Sequence, residues 1–190
     1  MINGLTYNQL AAECHANNAK WWHDLETGAR LDRDKDELLM LVVSEIAEAM
    51  EGERKGLMDD KLPHRPAAEV ELVDAVIRIA DFAGGHGFNI SRGVYSEYAM
   101  PLPDNKGAAL LDITRLVTGI SNLCEDVDIA SDRDIELIGA QLYHTLERIQ
   151  EYAAKWNYDL DGAYREKSAF NKVRKDHTAE HRKAAGGKKW

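Results

Sequence analysis

The chain has 190 residues, 44% hydrophobic and 30% charged, with a formal net charge of −9. That size supports one domain with a sizeable core, and the acidic balance argues against a nucleic-acid or anionic-membrane binder. No apolar run approaches the roughly 18 residues of a membrane span, the opening MINGLTYNQLAAE lacks the regions of a signal peptide, and Cys14 and Cys124 show no metal spacing, so a cytoplasmic setting is expected.

Strand-like alternation is nearly absent, and turn signals separate segments of 3.6-residue period. An all-α bundle of about six helices is therefore expected. Thr6 with Gln9 reads as a capping box for a first helix to about His23. The stretch ETGARLDRD breaks the pattern, and Asp34 with Glu37 opens a second helix to about Lys55. Pro63 and Pro66 bracket a loop. Pro66 suits the first position of a third helix, which ends in the Gly84-Gly85-His86-Gly87 run. Pro101 and Pro103 interrupt the chain again. A fourth helix is predicted over about 106–125, a fifth from a Ser131 cap to about Trp156, and a sixth from near Leu160 toward Lys175.

Two pairs of acids carry the chemistry. Glu45 and Glu48 lie in the second helix, Glu71 and Asp74 in the third, each pair spaced i, i+3 and so on one helical face. Antiparallel packing of these helices lets all four converge. Four carboxylates at one spot repel unless a divalent cation lies between them, and oxygen-only donors suit Mg2+ or Mn2+. Glu71, Asp74, Arg78 and Asp81 form one stripe between the apolar Val70/Ile77 and Ala75/Phe82 bands. Two readings of this stripe stand: a polar band facing a cavity, or a salt-bridge network centred on Arg78.

The two halves resemble each other. Residues 73–90 align with 143–160 at a constant offset, pairing Arg78 with Arg148 and Phe82 with Tyr152; GVYSE (93–97) then matches GAYRE (162–166). Residues 37–53 match 109–125 more loosely, and with both alignments the four acids correspond to Val117, Ile120, Gln141 and His144. The reading is an internal tandem repeat in a single domain. A catalytic half spans about 1–100, and a degenerate half with a basic tail spans about 101–190. From Arg165 onward there are nine Lys/Arg against three acids. Such a tail is solvated, neutralises its own acidic body, or supplies cations to an anionic substrate.

The pattern ExxE, 22 residues, ExxD, within LLMLVVSEIAEAMEGERKG and ELVDAVIRIADFA, resembles that of the MazG-like all-α nucleotide pyrophosphohydrolases. That superfamily also holds dimeric dUTPases and phosphoribosyl-ATP pyrophosphohydrolases. The ending EKSAFNKVRKDHTAEHRKAAGGKKW is similar to that of many phage and bacterial members, so the resemblance runs from about Asp36 to Trp190. It implies hydrolysis of a (deoxy)nucleoside triphosphate to monophosphate and pyrophosphate. Glu45, Glu48, Glu71 and Asp74 would hold Mg2+ or Mn2+, with Glu48 serving as general base instead of ligand in one version. It also implies a homodimer or tetramer in a bacterial or phage-infected cytoplasm.

Lys167, Asn171 and Arg174, spaced i, i+4, i+7, suit phosphate contacts. Lys188, in a Gly-Gly-Lys run, and Arg54 are further candidates. Of the adjacent Trp21 and Trp22, which point about 100° apart on a helix, one can stack on a base while the other packs; Trp22 is taken as the binding candidate. The histidines show no ligand spacing. A dGTP-to-dGMP enzyme and a dUTPase or dCTPase are competing versions. A non-catalytic helical assembly module, its acids merely solvating the bundle, is the alternative from another class.

Overall fold

A computed structural model describes residues 1–93, 100–125 and 131–187. Among these residues the chain forms seven α-helices and two short 3-10 turns, with no strand. The helices are α1 (Tyr7–Asn18), α2 (Lys35–Lys55), α3 (Ala67–His86), α4 (Lys106–Glu125), α5 (Asp132–Trp156), α6 (Leu160–Val173) and α7 (Ala179–Lys183). The all-α expectation holds. Among the described residues no helix is long and apolar enough to cross a membrane.

Local signals place most helix ends. The Thr6–Gln9 capping box is present, and the Asp34 carboxylate accepts from the Glu37 amide at 2.7 Å at the start of α2. Glu37 does not close a reciprocal box, because Arg33 takes its carboxylate at 2.5 Å. Gly56 and Gly87 end α2 and α3 in the left-handed region, at φ +63° and +74°. Three expectations need correction. Pro66 is the N-cap of α3 rather than its first residue. The first helix stops at Asn18 and tightens into a 3-10 turn over Ala19–Trp21, which lets the Trp22 indole turn inward to Asp81. The sixth stops at Val173, since Arg174 is extended; a 3-10 turn (Lys175–His177) and α7 follow.

α2 and α3 form the central antiparallel pair. Gly52 lies against Ala67 and Ala68, whereas the earlier Glu45 reaches the later Arg78. A Cβ on Gly52 would sit 2.9 Å from the Ala68 nitrogen, so glycine sets how closely the two helices approach. α4 and α5 form a second antiparallel pair, tied by Arg148 to Asp112 (3.0 Å) and Gln141 to the Leu116 carbonyl (3.1 Å). Val42, Ile46, Leu72, Val76, Ile79, Ile113, Ile120, Leu142 and Ile149 make one continuous core between the pairs. Each such side chain, fully buried, contributes about 1.5–3 kcal/mol. α1 packs antiparallel on α3 through Asn8–Asn89 and His15–Asp81. α6 runs parallel to α3, with Asp159 beside Glu69 and Lys167 beside Asp74.

The positions aligned with the four acids sit elsewhere. Val117 and Ile120 are buried core, and Gln141 bonds across the α4–α5 packing. Residues 94–97 of the GVYSE segment lie outside the described residues.

Candidate functional site

A cleft of about 510 Å³ opens between α2, α3, α6 and the chain around Trp21. Helix periodicity aims the side chains. Leu41, Ser44, Glu45 and Glu48 come from one face of α2; Glu71, Asp74, Ile77, Arg78 and Asp81 come from one face of α3. Lys167 and Asn171 enter from α6, and Arg174 and His177 from the segment after it. Of the residues singled out in the sequence, the four acids and the Lys167, Asn171, Arg174 set all line this one cleft.

Glu45, Glu71 and Asp74 each place one carboxylate oxygen within 4.8 Å of the others. Glu48 lines the same cleft, exposed, outside this close trio. Crowding has an electrostatic cost. Burial pushes the Glu71 carboxyl up to about 8, and the charges of Asp74, Glu45 and Glu48 add to the effect. Burial also pushes Asp74 up to about 6, against the pull of the Lys167 ammonium. Partly desolvated anions this close call for positive charge. Three oxygens at such spacing suit a hard divalent cation that takes oxygen donors at 2.0–2.6 Å.

Side-chain cations already contact two of the trio. The Lys167 Nζ lies 2.8 Å from Asp74 Oδ2, with the lysine 4% exposed. Burial works against that ammonium, but Asp74 and Glu71 outweigh it and raise its pKa. The Arg78 Nε donates to Glu45 Oε1 at 2.5 Å. The salt-bridge reading of the α3 stripe therefore holds in part: Arg78 is paired, and it is paired inside the cleft. The Arg174 Nε donates to Asp176 at 2.7 Å while its guanidinium lies 5.7 Å from the Phe170 ring centre.

Other sequence candidates fall elsewhere. Trp22 is 2% exposed and does not line the cleft; its indole N–H donates to Asp81 at 2.9 Å, and its ring fills the space a Cβ on Gly85 would need. Its neighbour Trp21 lines the cleft instead, with the His177 ring edge-on at 5.2 Å and the Arg182 guanidinium 4.0 Å from its ring centre. Arg54 is bonded to Glu51 at 2.7 Å on the outer side of α2 and does not line the cleft; the i, i+3 partner on its own helix captures it. Lys188 lies outside the described residues.

Sequence reasoning missed the contributions of Asn18, Arg33, His177 and the Asp59-Asp60-Lys61 loop, which also line the cleft. The loop had a signal: a run of charges between the two acid pairs, after the Gly56 stop. Arg33 had none, since its place comes from a hydrogen bond to the Trp21 carbonyl at 2.9 Å. No protein-family model, curated protein or solved structure matches the chain, so the geometry of the cleft carries the functional reading.

Proposed function

We propose that the chain is a divalent-metal-dependent hydrolase that cleaves a (deoxy)nucleoside triphosphate to the monophosphate and pyrophosphate. One observation carries the reading: three carboxylates from two helices meet beside a buried lysine, in a cleft that Trp21 also lines. An acidic site alone repels a triphosphate; an acidic site with a bound cation and a ring of lysine and arginine holds one.

Glu45, Glu71 and Asp74 would hold Mg2+ or Mn2+, with Glu48 as a further donor or as the base. When bound, the cation neutralises phosphate charge and lowers the pKa of a coordinated water. The remaining work belongs to side chains of the chain. Lys167, Asn171 and Arg174 line the same cleft as the acids and orient the phosphates. Glu48, exposed to the cleft, accepts the proton of the attacking water on its carboxylate. Water adds to the α-phosphorus as the bond to the departing pyrophosphate breaks. Trp21 offers an aromatic surface to the base. A homo-oligomer in a bacterial or phage-infected cytoplasm belongs to the same proposal.

Each dNTP, incubated with protein and Mg2+ while pyrophosphate release is followed, tests the reading. Release from at least one nucleotide is expected, and the preferred base separates a dGTP enzyme from a dUTP or dCTP enzyme. Absence of release from every nucleotide overturns catalysis and leaves the helical assembly module.

A further inference from the structure

We propose that Arg78 contacts substrate phosphate, and that Glu45 holds it in reserve until a cation binds at the carboxylates. The inference rests on the triphosphate reading above and assigns a role to a residue which that reading leaves unused. Arg78 stands one helical turn beyond Asp74, on the α3 face that carries Glu71, Asp74 and Asp81. Its Nε donates to Glu45 Oε1 at 2.5 Å. The two partners differ in access. The Glu45 side chain is 8% exposed, whereas that of Arg78 is 36% exposed.

Glu45 is also one of the three carboxylates that converge. Its oxygens therefore have two suitors, the guanidinium and a divalent cation, and the two positive charges repel at such short range. Cation binding weakens the ion pair, and the ion pair weakens cation binding; linkage makes the penalty equal in both directions. A displaced Arg78 stays tethered to α3 inside the same cleft. Its planar fork of N–H donors matches phosphate oxygens. The exchange leaves no charge buried and unpaired at either stage. Glu45 trades a guanidinium for the cation, and Arg78 trades a carboxylate for phosphate. Lys167, paired with Asp74 at 2.8 Å, stands in the same relation to the other side of the site.

Two probes test the proposal on the full chain, Mn2+ alone and inorganic tripolyphosphate, both followed by titration calorimetry without nucleotide or turnover. Arg78→Met is expected to bind Mn2+ alone about fivefold or more tightly, as the competing guanidinium is gone. The same variant, with Mn2+ in excess, is expected to bind tripolyphosphate about tenfold more weakly, and Arg78→Lys to recover part of that loss. Unchanged or weaker Mn2+ binding overturns the competition. Unchanged tripolyphosphate binding, or none by the wild-type chain, overturns the phosphate contact.

Glu45→Gln provides a second route should Arg78→Met fail to fold. It frees the guanidinium without metal, so metal-free tripolyphosphate binding is expected to strengthen, and no gain overturns the proposal. Failure of the nucleotide panel would sink the hydrolase reading separately, because neither probe here carries a base.

Discussion

Glu45 and Glu48 are one turn apart on α2, yet their surroundings separate them. Glu45 is buried and ion-paired, so its charge is committed to whatever cation stands beside it. Glu48 is exposed within the cleft and lies outside the close trio. Glu48→Gln is therefore expected to lower kcat by about 10²–10⁴-fold, as loss of a general base does, while Mn2+ binding persists. Wild-type turnover in that variant would remove Glu48 from the base role. His86 offers a second residue-level prediction. Phe82, Phe88 and Trp22 enclose its ring, and its Nε2 is buried with no hydrogen-bond partner among the described residues. Burial, with help from the Lys35 charge, lowers its pKa from 6.5 to about 4. Between those values the unfolded chain binds a proton that the folded chain refuses, so this contribution to stability is lost as pH falls from 6.5 through about 4. Urea midpoints measured from pH 7 to 4 should fall less steeply in His86→Leu than in the wild type.

α3 carries most of the architecture: α2, α1, α6 and α5 all pack on it, and its polar stripe floors the cleft. Its C-terminal end shows how a small residue can set the site from a distance. Gly85 leaves room for the Trp22 ring, which a Cβ would meet at 2.1 Å. With Trp22 seated there and bonded to Asp81, Trp21 is left to line the cleft. Gly85→Ala is expected to cost about 1–3 kcal/mol through overpacking. It should also disturb the Trp21 side of the cleft more than the carboxylate side. Thermal melts test the first effect. For the second, nucleotide KM should rise while Mn2+ affinity is kept, and an unchanged melting temperature would show that the ring can move at no cost.

The acidic body and basic tail are brought together by the fold. The tail returns to the start of the chain, where the Arg182 guanidinium donates to the Lys20 carbonyl at 2.6 Å and stacks on Trp21. Lys167 enters the acid cluster. The residual repulsion among Glu71, Asp74 and Glu45 remains a penalty in the cation-free protein. For Glu71 and Asp74 the folded pKa values are raised, so their contribution to stability is lost as pH rises through about 6 and then about 8. A cation that binds the ionised acids opposes that loss. Mg2+ at about 100 times its Kd is expected to stabilise the chain by about 2.7 kcal/mol. At one fixed Mg2+ concentration the gain in melting temperature should be larger at pH 8.5 than at pH 6, because protons no longer compete for the carboxylates and the Kd falls. A gain independent of pH, or none, would place the cation elsewhere.

Much of this was legible before any coordinates. Caps, glycine stops and a 3.6-residue period act over a few neighbouring residues, so Asp34, Ser131 and Gly87 bounded helices that fold where the sequence places them. The i, i+3 spacing likewise put each acid pair on one helical face. What the residues did not disclose is what lies across from them. That Arg78 takes Glu45, that Trp21 rather than Trp22 lines the cleft, and that Arg33 and the Asp59-Asp60-Lys61 loop complete it all depend on segments remote in the chain. Those meetings are set by which apolar faces bury one another, and by closely packed sites such as Gly52 and Gly85, where a single missing Cβ fixes the approach. Local propensity acts along the chain; the separation of two charges across a cleft is fixed only when the core between them has closed.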